Sequence, residues 1–137
     1  YTLFTANKEI LKDLNKLFNF FDTNYIVNKY KHLVVAPHYS RNKMYRLIEE
    51  QIEVVKNGGT GLIRLKLNSI SNYEIIDKLY EASNAGVKIE MIVRGVCCLI
   101  PGVPGMSENI KIISVIDKFL EHTRVYIFGE PGWEKVL

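Results

Sequence analysis

Two kinds of hydrophobic spacing alternate along the chain. Apolar residues at every third or fourth position predict helices over about 6–21, 40–57 and 72–84. Short apolar or alternating runs predict strands over 32–36, 61–67, 87–93, 110–114 and 124–128. Candidate N-caps precede the helices at Thr5, Ser40 and Ser71. Glu74 completes a capping box with Ser71, and one or two helical turns are expected within 115–121.

This alternation predicts an α/β fold, in which helices pack on a mixed or mostly parallel sheet. The direction of the last two strands stays open at this point. The polar stretch over 22–31, which contains tyrosines, predicts a linker or a domain boundary. The chain begins within an apolar phrase and ends on what resembles an opening strand, so we interpret both ends as cuts in a longer protein.

Composition narrows the class of protein. The chain has 137 residues and a formal net charge of +3, with its basic residues spread along the whole length, so charge gives no reason to expect a nucleic-acid partner. There is no apolar run of transmembrane length and no signal-peptide pattern. The only two cysteines, Cys97 and Cys98, are adjacent and unsuited to pairing with each other, which favours a reduced, cytoplasmic setting, with peripheral membrane association left open.

Candidate chemistry lies at the predicted strand ends. Arg94 follows the strand at 87–93, where α/β sheets open their ligand crevice, and its guanidinium fork suits phosphate oxygens. His122 precedes the last strand and forms an H-x-R pattern with Arg124; an imidazole there could move a proton, contact phosphate or be phosphorylated. His38, after the first predicted strand, is a weaker candidate. A surface ion pair for Arg94 and a loop position for His122 are the competing interpretations.

Several phrases resemble one family, the long bacterial-type polyphosphate kinases. The matching segments cover nearly the whole chain: 3–7, 33–37, 65–69, 75–83, 85–89, 92–103 and 119–125. The most specific are V-R-G-V-C-C-L-I-P-G, which contains Arg94, and F-L-E-H, which ends at His122.

The resemblance implies a fold related to the phospholipase D superfamily and reversible transfer of the terminal phosphate of ATP to inorganic polyphosphate. It implies ATP or ADP, polyphosphate, the remaining domains of the enzyme and further copies in a homo-oligomer as partners. Arg94 resembles the family arginine that contacts the nucleotide phosphates, and His122 resembles a second active-site histidine, a nucleotide contact and acid or base. Tyr1 resembles a tyrosine that packs at the nucleotide.

The resemblance also implies what this chain lacks. The histidine that is phosphorylated in the family lies upstream of Tyr1, in the third of four domains, and the residues that hold Mg²⁺ are also absent. Residues 1–31 resemble the end of that third domain plus a linker, and residues 32–137 resemble most of the C-terminal domain. We therefore expect the isolated chain to be inactive and magnesium to be bound by residues outside it.

Two other functions stay open. Its numerous lysines and arginines also suit a non-catalytic polyanion-binding or oligomerisation module. A phospholipase D-type phosphodiesterase is disfavoured, because that chemistry uses H-x-K with a later Asp, whereas this chain has H-x-R at His122 and no Asp after it.

Overall fold

The computed structural model describes residues 3–26, 28–36, 39–116 and 122–137, which form two compact units, Tyr1–Lys43 and Met44–Leu137. In chain order, the elements are α1 (Lys8–Asp22), α2 (Ser40–Lys56), β1 (Leu62–Leu67), α3 (Tyr73–Asn84), β2 (Lys88–Val93), β3 (Ile110–Ile113), β4 (Val125–Phe128) and β5 (Lys135–Val136). None of the described helices combines the length and the apolar character needed to cross a membrane.

The first unit is built on the amphipathic helix α1. Its N-cap is Asn7, whose side chain accepts the N–H groups of Glu9 and Ile10 at 2.9 and 3.3 Å. The predicted cap at Thr5 is therefore wrong: the Thr5 hydroxyl accepts the N–H of Asn7 at 3.1 Å, one step before the helix begins. Threonine and asparagine can both cap a helix, and here the oxygen of Asn7 is the one within reach of the N–H groups of the first turn.

The carboxylate of Asp13 organises the segment that follows α1. Its side chain is 2% exposed, and its Oδ2 accepts the N–H groups of Lys31, His32 and Leu33 at 2.6, 2.6 and 3.3 Å. These bonds, that from His32 above all, lower the pKa of Asp13 from 3.8 to about 2. Lys16 adds a salt bridge at 3.3 Å.

The predicted strand at 32–36 is wrong, and Asp13 supplies the reason. The N–H groups of residues 31–33 already donate to its carboxylate and cannot join a sheet ladder. The Val35 carbonyl accepts the N–H of Tyr39 in the turn that leads into α2. The segment is irregular, and Val34 is 37% exposed, so an apolar run that indicated a buried strand is only partly buried.

We expect acid to loosen this segment through Asp13. Because its pKa is depressed in the folded chain, its stabilising effect is present above pH 3.8 and is lost as the pH falls towards about 2. Hydrogen-exchange protection of the amides of residues 31–33 should therefore drop over that interval. An Asp13→Asn variant should show lower protection at neutral pH and little further change in acid. Asp22→Asn, at the exposed end of α1, is the matched control; equal pH dependence in the wild type and Asp13→Asn would contradict this assignment.

The second unit is a five-stranded mixed sheet in the order β3-β2-β1-β4-β5. Strands β1, β2 and β3 are parallel, while β4 is antiparallel to β1 and β5 is antiparallel to β4. The α/β fold class is confirmed, and the two directions that the sequence left open are settled as parallel for β3 and antiparallel for β4. The end of the chain, interpreted as an opening strand, forms β5.

The core lies on one face of this sheet. Helices α2 and α3 contribute the apolar residues predicted for them, and the strands contribute the alternate positions that point the same way. Its fully buried members include Leu47, Ile48, Ile63, Leu79, Ile89 and Phe128. The opposite face carries the intervening residues, among them Arg64, Lys66, Glu90 and Ile92, which are partly exposed. This second face is therefore the polar one at β1 and β2.

Local sequence determines where helix α2 ends and where helix α3 begins. Helix α2 ends where predicted, and Gly58, with a φ of +81°, donates its N–H to the Val55 carbonyl. Helix α3 is capped by Asn72, whose side chain accepts the N–H of Ile75 at 3.0 Å. The predicted Ser71 capping box is wrong, because Asn72 takes the cap position; Glu74 accepts instead from the Tyr45 hydroxyl at 3.1 Å.

The loop between β2 and β3 has its own small core. Ser107 is fully buried; its hydroxyl donates to the Ile100 carbonyl at 2.7 Å and accepts the Val103 N–H at 3.0 Å. Leu99 is 3% exposed, and the Ile100 N–H donates to the Tyr80 hydroxyl at 2.9 Å. The Pro- and Gly-rich segment after β2 therefore forms a packed turn.

Candidate functional site

The exits of β1 and β2 lie side by side at one edge of the sheet, because the two strands are parallel and paired in register. Arg94 follows β2, and Asn68 follows β1. Their pairing continues past the strands: the Arg94 N–H donates to the Leu67 carbonyl at 3.2 Å, and the Gly95 N–H donates to the Asn68 carbonyl at 2.7 Å. Arg94, the first predicted site residue, is therefore held at the carboxyl edge where ligand crevices form.

Gly95 permits this close approach. A Cβ atom at this position would lie 3.0 Å from the Asn68 carbonyl oxygen, which is a backbone atom with little freedom to move. A side chain at this position would require the Asn68 carbonyl to move by a few tenths of an ångström, at the point where the backbone of residue 95 bonds to it. The glycine after Arg94 therefore has a packing reason as well as a place in the sequence motif.

His122 reaches the same edge from the other side of β1. Strand β4 is antiparallel to β1, with Val125 opposite Lys66, so the residues before Val125 lie beside the exit of β1. The Lys66 ammonium donates to the Thr123 carbonyl at 3.0 Å. The Asn68 amide nitrogen lies 3.5 Å from Nδ1 of His122. The histidine is exposed, and Arg94 is partly exposed, so both face solvent at this edge.

The structure thus places Arg94 and His122 on the two sides of one residue, Asn68. The first is linked to it through the Gly95 backbone and the second through the side chain. Lys66 adds an ammonium group to the same region. An exposed edge with a guanidinium, an ammonium and an imidazole suits an anion with several oxygen atoms, such as a phosphate chain.

The open face of the sheet next to this edge carries a separate charge arrangement. Arg64 pairs with Glu90 across β1 and β2 at 3.3 Å, and Lys88 pairs with the same carboxylate at 2.8 Å. The Lys88 hydrogen bond is the largest cause that lowers the pKa of Glu90 from 4.5. A shallow depression of about 450 Å³ lies over this face. Its lining includes the charged side chains of Arg64, Glu90 and Lys111 and the apolar side chains of Ile92, Ile113, Val125 and Ile127. Arg64 is therefore matched by a carboxylate on the adjacent strand.

A family model described as "Polyphosphate kinase C-terminal domain 2" matches residues 33–137, more than half of the chain. The chain belongs to this family. Proteins named polyphosphate kinase are similar along nearly its whole length: that of Vibrio parahaemolyticus is 45% identical over 132 residues, which is 96% of this chain and 19% of the relative. That of Synechocystis sp. is 48% identical over 135 residues, or 98% of this chain and 18% of the relative.

The crystal structure of polyphosphate kinase from Porphyromonas gingivalis is also similar, with a TM-score of 0.87 and 40% identity. The alignment covers 96% of this chain and 22% of that one. The phospholipase D-like α/β layering expected from the resemblance is confirmed, and the family resemblance itself is confirmed. This chain spans about a fifth of the length of these polyphosphate kinases.

Some predicted residues fall outside what the structure describes. Tyr1 and His38 both do, and so do residues 117–121, which take in most of the helical turns expected within 115–121 and part of the F-L-E-H phrase. Their proposed roles stay predictions. Within the described ranges, no cluster of three or more His, Cys, Asp or Glu side chains is arranged to hold a metal ion.

Sequence reasoning missed Asn68 and Lys66 as parts of the site. Both lie in the phrase L-K-L-N-S, which contributed to the family resemblance but received no role. A signal was present, because the apolar residues at 63, 65 and 67 alternate with polar ones at 64, 66 and 68. Polar positions that continue to the carboxyl end of a strand point to the edge where ligands bind.

Proposed function

We propose that this chain is the C-terminal part of a polyphosphate kinase, an ATP:polyphosphate phosphotransferase, and that its sheet edge supplies one half of the phosphoryl-transfer site. The observation that carries the proposal is the placement of Arg94 and His122 on either side of Asn68, in a chain of this family. The proposed reaction is reversible transfer of the terminal phosphate of ATP to inorganic polyphosphate, through a phosphohistidine located elsewhere in the full protein.

The geometry supports positioning and charge neutralisation as the contribution of this half. Phosphoryl transfer places negative charge on the equatorial oxygens of the transferred group, and fixed cations at that point stabilise the transition state. Arg94 would bind a phosphate oxygen of the nucleotide. His122 would contact the nucleotide and act as a proton donor or acceptor.

Magnesium, the nucleotide and the other domains enter this proposal from outside the chain. Among the described residues, the side chains brought together at the edge, those of Lys66, Asn68, Arg94 and His122, include no carboxylate, the protein ligand that Mg²⁺ favours. Residues outside the chain are therefore proposed to bind it. Tyr1 is proposed as a further nucleotide contact. A homo-oligomeric, cytoplasmic enzyme remains the expectation for the full protein.

A panel of variants of the full-length enzyme distinguishes this function from a general polyanion-binding module. We expect the loss of ATP-dependent polyphosphate synthesis to be concentrated in Arg94→Ala and His122→Ala. Variants of exposed lysines of the second unit that lie at the other end of the strands, Lys56→Ala and Lys88→Ala, should keep their activity. A uniform, salt-dependent weakening of polyphosphate binding across all four variants would favour the polyanion-binding module instead.

The isolated chain should show no transfer of phosphate from ATP. The proposed nucleophile and magnesium ligands would be supplied by other parts of the enzyme, and an electrostatic half-site does not replace them. Incubation of the purified chain with ATP, magnesium and polyphosphate, followed by measurement of ADP release, tests this expectation. The full-length enzyme in the same assay is the positive control, and turnover by the isolated chain would contradict the division of the site.

A further inference from the structure

We infer that Asn68 is a positioning residue for His122 in the proposed reaction, and that Lys66 fixes the backbone on which His122 is carried. The inference rests on the proposed function and adds to it two residues of the phrase L-K-L-N-S. Both belong to β1 or its exit, two positions apart, so strand alternation places them on the same face. Both make contacts with the segment that precedes β4.

The backbone at Asn68 is held in place by the sheet. Strand β1 is central, with β2 on one side and β4 on the other. The Asn68 carbonyl accepts the Gly95 N–H at 2.7 Å, and this backbone bond does not depend on the side chain. Substitution of the Asn68 side chain therefore removes its contact with His122 while the junction with Arg94 is retained.

The contact between Asn68 and His122 joins two side chains. The Asn68 amide nitrogen lies 3.5 Å from Nδ1 of His122, within hydrogen-bond reach. An asparagine amide has a donor end and an acceptor end, so it can pair with Nδ1 in either neutral form of the ring. The contact therefore fixes the orientation of the ring and leaves Nε2 as the ring nitrogen that faces away from Asn68. Nε2 is then the atom available to a phosphate oxygen.

A second contact anchors the segment that carries His122. His122 is exposed and lies just outside β4, so its own strand does not fix it. The Lys66 ammonium holds the neighbouring Thr123 carbonyl at 3.0 Å, which ties the segment to the central strand one residue away from the imidazole. Lys66 thus limits the position of the backbone, and Asn68 limits the orientation of the ring.

The test uses the full-length enzyme and the pH dependence of its rate. Asn68→Ala should lower kcat/KM by about three- to tenfold, the effect of losing one neutral hydrogen bond. Asn68→Asp places a carboxylate against Nδ1, which accepts a hydrogen from the doubly protonated ring and stabilises it. We therefore expect the limb of the pH–rate profile that reports His122 to move to higher pH in Asn68→Asp and much less in Asn68→Ala. The charged residues described at this edge, Lys66 and Arg94, and Arg124 two positions after His122, are unchanged in both variants.

Two matched controls separate positioning from folding. Asn57 directly follows α2, and its side chain donates to the Glu53 carbonyl. Asn57→Ala should leave the rate and the pH–rate profile unchanged. Lys66→Met should lower kcat/KM, whereas Lys111→Met, an exposed lysine of β3, should not. Thermal unfolding of each variant reports its fold. If Asn68→Ala unfolds, the isosteric variant Asn68→Asp distinguishes the two roles of Asn68. A purely structural role would lower the rate without moving the pH–rate profile, whereas a positioning role would move it.

The outcomes are distinguishable from failure of the proposed function. In one outcome, His122→Ala has a lowered kcat/KM, while both Asn68 variants match the wild type in rate and pH–rate profile. That result would overturn the positioning role of Asn68 and leave the proposed function standing. Full activity of His122→Ala would overturn the role of the imidazole, and the positioning role with it. A reduced rate in Asn68→Ala together with a displaced profile in Asn68→Asp would support the inference.

Discussion

Replacing Arg94 by alanine in the full-length enzyme should lower kcat/KM for ATP by at least about tenfold, the scale of a single electrostatic donor at a transition state. The backbone N–H of residue 94 still donates to Leu67 in the variant, so the sheet edge keeps its shape. Arg94→Lys should recover part of the rate, because the positive charge remains while the two-pronged geometry is lost. Steady-state kinetics in both reaction directions measure the effect.

Arg64→Ala is the matched control for this experiment. Arg64 lies on β1 and is paired with Glu90 at 3.3 Å, and we assign it no part in phosphate binding. Its loss should leave kcat/KM within about twofold of the wild type, as expected for an exposed ion pair. Equal rates for the wild type and Arg94→Ala would refute the assignment of Arg94 as a phosphate contact.

Leu79→Ala should lower the free energy of unfolding of the second unit by about 2–5 kcal/mol. Leu79 is fully buried in the cluster that joins α3 to the sheet, so its truncation leaves a cavity and removes apolar contacts. Denaturant unfolding followed by circular dichroism measures the change. The control is Tyr73→Ala on the same helix, where the side chain is 76% exposed and the expected change is within about 0.5 kcal/mol. A Leu79→Ala midpoint equal to that of the control would contradict the core described above.

Hydrophobic spacing predicted the second unit well because its elements bury one clear face. The pattern of α2, β1, α3 and β2 follows directly from periods of 3.6 and 2, and the structure confirms each of them. The residue that caps each helix was harder to predict. Thr5 lies two positions before Asn7, Ser71 lies directly before Asn72, and all four side chains can accept backbone N–H groups. Only the backbone geometry selects between such alternatives.

The failures of prediction have a common physical origin in contacts between distant residues. The run at 32–36 is apolar enough for a strand, yet a carboxylate on α1 accepts the N–H groups that a ladder would need. The sequence placed Arg94 at a strand exit, whereas the link from Asn68 to His122 spans 54 residues and required the antiparallel placement of β4.

The central position of β1 has a consequence for how such proteins can vary. Arg94 and His122 are related to each other across the width of a single strand, although the polypeptide between them is long. Insertions or deletions in the surface turns of that connection would change its path and leave the spacing of the two groups intact. A one-residue slip of β1 against its neighbours would instead displace both groups at once. The tolerance of this fold to length changes should therefore be high between the two motifs and very low within the strand that separates them.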